Sequence, residues 1–145
     1  MIIEAATSRD LPDVHDLLSR HQLPIDGVDD HVQTMLVARE SSQIVGSAAL
    51  EVYADGALLR SVAVDARQQG RHVGHQLTEA ALQLARAHGA RAVFLLTTTA
   101  EKFFPRFGFE QIAREDVPPS VQASVEFTSA CPTSAIVMRK RLTSA

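Results

Sequence analysis

Residues 58–84, LLRSVAVDARQQGRHVGHQLTEAALQL, constrain the fold more than any other part of the chain. A short apolar, β-branched run (Val62, Ala63, Val64) ends at Asp65 and passes through a polar turn into QQGRHVG. An amphipathic helix starts there with no proline to break it. A strand, a tight loop and a helix N-terminus in that order leave several backbone N–H groups unpaired at the positive end of a helix dipole. That arrangement suits phosphate oxygens, so the expected ligand carries phosphate.

Spacing separates three kinds of phosphate loop. A P-loop needs GxxxxGK followed by Ser or Thr, whereas Gly70 and Gly74 are followed by His75 and Gln76. A dinucleotide fingerprint needs GxGxxG and an acidic residue about 20 positions on, where this chain has the apolar run VFLL at residues 93–96. The remaining pattern is Gln/Arg-x-x-Gly-x-Gly/Ala, which Gln69, Gly70, Arg71, His72, Val73 and Gly74 match at every place but one. This loop resembles the pyrophosphate loop of the GNAT superfamily of N-acetyltransferases. The departure is His72, which stands where that family usually has glycine and sets a Cβ and a ring beside the phosphates.

Composition bounds the partners. At 145 residues, with 46% hydrophobic and 21% charged residues, one domain with a single core is expected. A formal charge of −3 without long Lys/Arg runs argues against nucleic acid or an anionic membrane and favours a small molecule. No apolar run approaches the roughly 18 residues of a membrane span, and MIIEAATSRD lacks the regions of a signal peptide, so a cytoplasmic protein is expected. The single cysteine, Cys131, excludes an intrachain disulfide and a zinc-finger spacing.

Periodicity and turn residues place the elements coarsely. A strand at 2–6 precedes a helix capped by Ser8 or Asp10, with Val14, Leu17 and Leu18 on one face and Pro24 and Gly27 past its end. A short helix at 29–33 leads into strands at 35–39, 44–53 and up to Val64. A helix over 71–88 carries Val73, Leu77, Ala81 and Leu84 at helical spacing and stops at Gly89. The run at 93–98 reads as a buried parallel strand, followed by a helix over 100–107 and a strand near 109–113. Pro118 and Pro119 open a short helix, and 135–142 closes the chain as a strand.

This order of elements resembles the GNAT fold over most of the chain. The resemblance implies a single-domain α/β architecture: a mixed, mostly antiparallel sheet of about seven strands, splayed between the fourth and fifth, with helices on both faces. It also implies acetyl-coenzyme A as co-substrate. Amides of Arg71, His72, Val73, Gly74 and His75 would then line the pyrophosphate, and the edge of Val62, Ala63 and Val64 would pair with the pantetheine amides as an added strand does. In EKFFPRFGFE, Phe103, Phe104, Phe107, Gly108 and Phe109 resemble the segment bordering the cofactor thiol. Phe103 and Phe104 are cofactor candidates, while Phe107 and Phe109 also read as core. Arg67 and Arg71 stand where they add charge to the phosphates. His72 and His75 lack a third partner at metal-ligand spacing, so no metal is expected.

Acetyl transfer needs a neutral amine, a stabilised oxyanion and a leaving thiolate. The tyrosine that many superfamily members place before the GF pair is Phe104 here, and the sole tyrosine, Tyr53, would approach only from the third strand. LLTTTAEKFFPRFGF resembles the catalytic domain of N-acetylglutamate synthases and the small arsenic-resistance N-acetyltransferases. The tail, with VPPSVQASVEF and then CP, resembles the arsenic-resistance group. That likeness makes Thr97 the candidate partner of the leaving thiolate. The base of the synthases falls near Leu58, which leaves Glu51, acting through a water, as the candidate here. A backbone oxyanion donor is expected near Val62. An amino-acid acceptor needs a cation for its carboxylate, and Arg60 is the first choice, with Arg106 and Arg114 behind it. Cys131 falls by the acceptor opening, as an inert small residue or as a ligand for a thiophilic acceptor. The implied partner is thus a small-molecule amine, glutamate or a glutamate-like arsenical or phosphinic analogue. A peptide acceptor, a non-catalytic acetyl-coenzyme A sensor and a possible homodimer remain open.

Overall fold

The computed structural model describes residues 1–68 and 72–142, and of Ser129 and Ala130 the backbone alone. Seven strands form one sheet: β1 (Ile2–Ala5), β2 (Met35–Glu40), β3 (Gln43–Tyr53), β4 (Gly56–Val64), β5 (Ala92–Thr97), β6 (Glu110–Ile112) and β7 (Ile136–Arg141). Their order across the sheet is β1-β2-β3-β4-β5-β7-β6. Every pairing is antiparallel except β4 with β5. The helices are α1 (Leu11–Arg20), α2 (Val73–Ala87) and α3 (Pro119–Gln122). The single mixed sheet with helices on both faces is the architecture expected above.

Alternation along the strands sets the two faces. Val14, Leu17 and Leu18 of α1 pack with Val37, Ala49 and Ala63, whereas Leu77, Ala81, Leu82 and Ala85 of α2 pack with Ala38, Ala48, Leu50 and Leu59. Val37 and Ala38, or Ala48 and Ala49, are neighbours in sequence and so point to opposite sides. Val121 of α3 joins Leu58, Phe94 and Val137, which alternate with the α2-facing set and therefore lie on the α1 side. Helix α2 sits close to β3: a Cβ at Gly46 would come 2.7 Å from Leu77 Cδ1. Glycine is what this approach requires.

Two features of β4 shape the site. Its parallel pairing with β5 is confined to Ala57 with Val93 and Leu58 with Phe94, so the strands part beyond Leu58. Toward β3, Ser47 pairs with Ala63 and Ala49 with Arg60, leaving Ser61 and Val62 opposite Ala48 alone. That is a β-bulge, and Ser61 adopts φ of 60°, unusual for a residue with a Cβ.

The structure corrects the expected helix over 100–107. Only a 3-10 turn, Phe104–Phe107, forms there. Pro105 supplies no N–H, and Gly108, at φ of 94°, ends the turn. Helix α1 ends at Arg20, before Pro24 and Gly27. The π-helical turn Glu126–Ala130 went unforeseen, because a single turn carries no periodicity to read.

Candidate active site

Where β4 and β5 part, a cleft of about 640 Å³ opens. Its lining comes from the free stretch of β4 (Arg60, Ser61, Val62, Ala63, Val64), the start of α2 (His72, Val73, Gly74, His75), and the end of β5 at Thr97. The aromatic turn adds Phe103, Phe104 and Arg106, and the tail adds Glu126 and Cys131. The fold thus gathers Val62, Ala63, Val64, His72, Val73, Gly74, His75, Phe103, Phe104, Thr97, Arg60, Arg106 and Cys131, all singled out in the sequence. Gln69, Gly70 and Arg71 lie outside the described residues.

The start of α2 differs from the sequence reading in one useful detail. His72 is the N-cap, in the left-handed region at φ of 63°, and the helix proper begins at Val73. That conformation favours glycine, which adopts it without the strain a Cβ brings. His75 packs on Phe107 with the rings tilted by 40° and their centroids 4.9 Å apart, so its ring is part of an aromatic cluster. Phe103 lies 5.1 Å from Phe104 and 5.2 Å from Phe107, both in edge-on contact. Phe107 and Phe109 are buried core residues, while Phe103 and Phe104 face both core and cleft. No group of three or more metal-ligating side chains gathers among the described residues.

Arg67 turns back on the strand end: its backbone N–H donates to Asp65 Oδ1 at 2.9 Å and its guanidinium to the same carboxylate. Arg67 holds the Asp65 carboxyl down at about 2. Arg67 thus pairs with Asp65 at the strand end and lies off the cleft lining. Thr97 Oγ1 accepts the Ala100 N–H at 2.9 Å, and the hydroxyl proton remains to be donated.

Arg60 needs a larger correction. Its side chain is fully buried, with Nη1 donating to Glu51 Oε2 at 2.9 Å, Nε to Ser61 Oγ at 3.1 Å and Nη2 to the Pro24 carbonyl at 3.2 Å. A guanidinium with these donors engaged is no free bidentate clamp for a carboxylate. Glu51 is likewise 1% exposed and off the cleft lining, not a solvated strand residue. Burial pushes its pKa up, but hydrogen bonds from Ser124, Tyr53 and Arg60 outweigh that and hold it below the usual value. A carboxylate so stabilised in its charged form is a weak base. Tyr53 donates its hydroxyl to Glu51 and is pushed up to about 12 by burial and by that carboxylate, so it presents no acid to the cleft. Arg114 lies over the Phe127 ring and donates to the carbonyls of Pro132 and Thr133, bracing the tail outside the cleft. Among the described residues, Arg106 is the arginine that borders the cleft with an exposed side chain.

Glu126 was missed. It borders the cleft at 5% exposure, beside Cys131. Burial and the adjacent Glu126 carboxylate push the Cys131 thiol up to about 12, which keeps it protonated and unreactive. The only sequence signal for Glu126 was its place in the VEF of the tail, where an acid stands between two apolar residues.

Comparison with known proteins bears on these features. Residues 31–111 match the model of the acetyltransferase (GNAT) domain. The amino-acid acetyltransferase of Mycobacterium tuberculosis is 39% identical over 80 residues, covering 54% of this chain and 45% of that protein. The chain therefore spans less than half the length of this relative. A Mycobacterium tuberculosis protein solved in complex with CoA and NLQ superposes with a TM-score of 0.84 at 25% identity, over 99% of this chain and all of the other. The N-acetylglutamate synthase of Neisseria gonorrhoeae, complexed with coenzyme A and N-acetyl-glutamate, also gives 0.84, at 20% identity over 99% of this chain and 35% of its own.

Proposed function

Because the chain belongs to the acetyltransferase (GNAT) domain family, we propose that it transfers an acetyl group from acetyl-coenzyme A to the amine of a small amino-acid-like acceptor. One observation carries this reading. The cleft joins an unpaired strand edge, Leu59 to Val64, to the start of α2, so pantetheine amides and a pyrophosphate find backbone partners in one continuous groove. A Cβ on Gly74 would lie in ordinary contact with Val64 Cγ2 at 3.5 Å and Phe103 Cζ at 3.6 Å, which places the start of α2 against both the β4 edge and the aromatic turn.

Within that frame the described residues take distinct roles. Strand and helix position the thioester, which by itself supplies a large part of the rate. The β4 bulge at Ser61 and Val62 interrupts the ladder beside the thioester and frees backbone N–H for the oxyanion. Thr97 donates its hydroxyl proton toward the leaving sulfur. Arg106 meets the acceptor's carboxylate. The finer reading, glutamate or a glutamate-like arsenical or phosphinic analogue, rests on the likeness of the tail and on the amino-acid acetyltransferase among the relatives. Thiol release with a panel of amines tests it. Turnover of glutamate-like amines supports the reading, peptide turnover redirects it to proteins, and tight cofactor binding without turnover makes the chain a sensor.

A further inference from the structure

Glu126 is the one acidic side chain on the cleft lining among the described residues. It hangs from the π-helical turn after α3, and its Oε2 atom is buried with no hydrogen-bond partner. Arg60 Nη2 stands 3.6 Å from that oxygen, within ion-pair range but beyond a hydrogen bond. The cause is competition. Two carboxylates, Glu51 and Glu126, flank one guanidinium, and Glu51 takes the 2.9 Å contact while Ser61 and Pro24 take the other donors. A buried oxygen that accepts and finds no donor is costly unless a ligand supplies one. With one cation between two carboxylates, the local balance calls for a positively charged donor.

Resting on the transferase reading above, we propose that Glu126 receives the acceptor's ammonium group on Oε2 and then takes its proton. The step balances. The ammonium gives one proton to the Glu126 carboxylate, and the neutral amine attacks the thioester carbonyl carbon. The C–N bond forms, the C–S bond breaks, and the second nitrogen proton ends on the departing sulfur. Glu126 then releases its proton to solvent through the cleft. An acceptor carboxylate is repelled from this end and belongs nearer Arg106. The groups facing Glu126 agree with a base: burial raises its proton affinity, Glu51 and Asp26 raise it further, and Arg60 and the Cys131 thiol oppose. His31 faces Glu51 at 3.7 Å on the far side of the pair. A carboxyl raised toward neutrality takes a proton more readily than Glu51 does.

Glu126→Gln, which preserves shape and removes the base, is compared with the wild type in three measurements. These are kcat/KM against pH for the best amine, calorimetric binding of that amine to the coenzyme A-loaded protein, and acetyl-coenzyme A affinity as the control for folding. The expected result is an acidic limb in the wild-type profile, above the usual glutamate range, that vanishes in the variant. A fall in kcat/KM of about 100-fold or more and weakened amine binding accompany it, at unchanged acetyl-coenzyme A affinity. A variant with wild-type rate and profile overturns the proposal. If the variant loses acetyl-coenzyme A binding and so its fold, the wild-type profile decides alone, and the absence of that limb overturns it. If no amine turns over, the transferase reading fails, and the role of Glu126 stands or falls on amine binding, measured for the panel's amines in both forms.

Discussion

His72 shows how one residue carries a backbone cost into a binding loop. It caps α2 in the left-handed region with a Cβ that this conformation disfavours by about 1–2 kcal/mol. His72→Gly is expected to raise the unfolding free energy by about 1 kcal/mol and leave acetyl-coenzyme A affinity equal or better, read by denaturant titration and calorimetry. A tenfold loss of affinity in a folded variant would make the ring itself a ligand. Arg60 is the second such residue. Its burial between Glu51 and Glu126 shifts its expected mutant phenotype from substrate affinity to stability. Arg60→Ala leaves the Glu51 carboxylate uncompensated in the core and is expected to cost about 3–5 kcal/mol of unfolding free energy. Arg60→Lys recovers only part, since an ammonium cannot reach Glu51, Ser61 and Pro24 together. Wild-type stability of Arg60→Ala would refute the ion pair.

At the scale of elements, the junction of β4 with α2 does the most. The strand ends at Val64, Asp65 holds the Arg67 turn, and the helix begins at Val73, with His72 to His75 on the cleft lining. Gly74→Glu sets a carboxylate where phosphate is expected. Acetyl-coenzyme A affinity should fall at least tenfold, about 1.4 kcal/mol, while the far-ultraviolet circular dichroism stays unchanged. Unaltered affinity would remove this junction from the cofactor site. The aromatic turn after β5 works differently. Pro105 and Gly108 stop it from becoming a helix, so Phe103 and Phe104 are held against both the core and the cleft by their edge-on contacts.

For the whole molecule, two paired aspartates add to the acid limb of stability that the buried Glu51 carboxylate also sets. Arg67 lowers Asp65 to about 2, and Arg39 lowers Asp10, each from an ordinary value near 3.8. Both native pKa values lie below the unfolded ones, so the native state binds fewer protons there. Their stabilisation is complete above the unfolded value and is lost as pH falls through 3.8 toward about 2. From these two groups melting temperature should drop between pH 4 and 2, with a shallower drop in Asp65→Asn. An identical acid limb in that variant would show that the pair is not held in solution.

The strands, α1, α2 and the short α3 were legible in the sequence, because alternation and 3.6-residue spacing are local signals that burial on one face imposes directly. The strand and helix that flank QQGRHVG were legible for the same reason, and with them much of the cleft lining. Arg60, Glu51 and Glu126 were not. Nothing in the sequence tells whether an arginine on a strand faces a ligand or a carboxylate 9 residues away, since that depends on strand register and on how the tail folds back over the sheet. The sequence by itself determined the seven strands and the helices α1, α2 and α3, because the patterns that place them are local. Only the tertiary structure decided how charge is shared at the acceptor end, because strand register and the fold of the tail bring two carboxylates, Glu51 of β3 and Glu126 of the tail, to one buried guanidinium, Arg60 of β4.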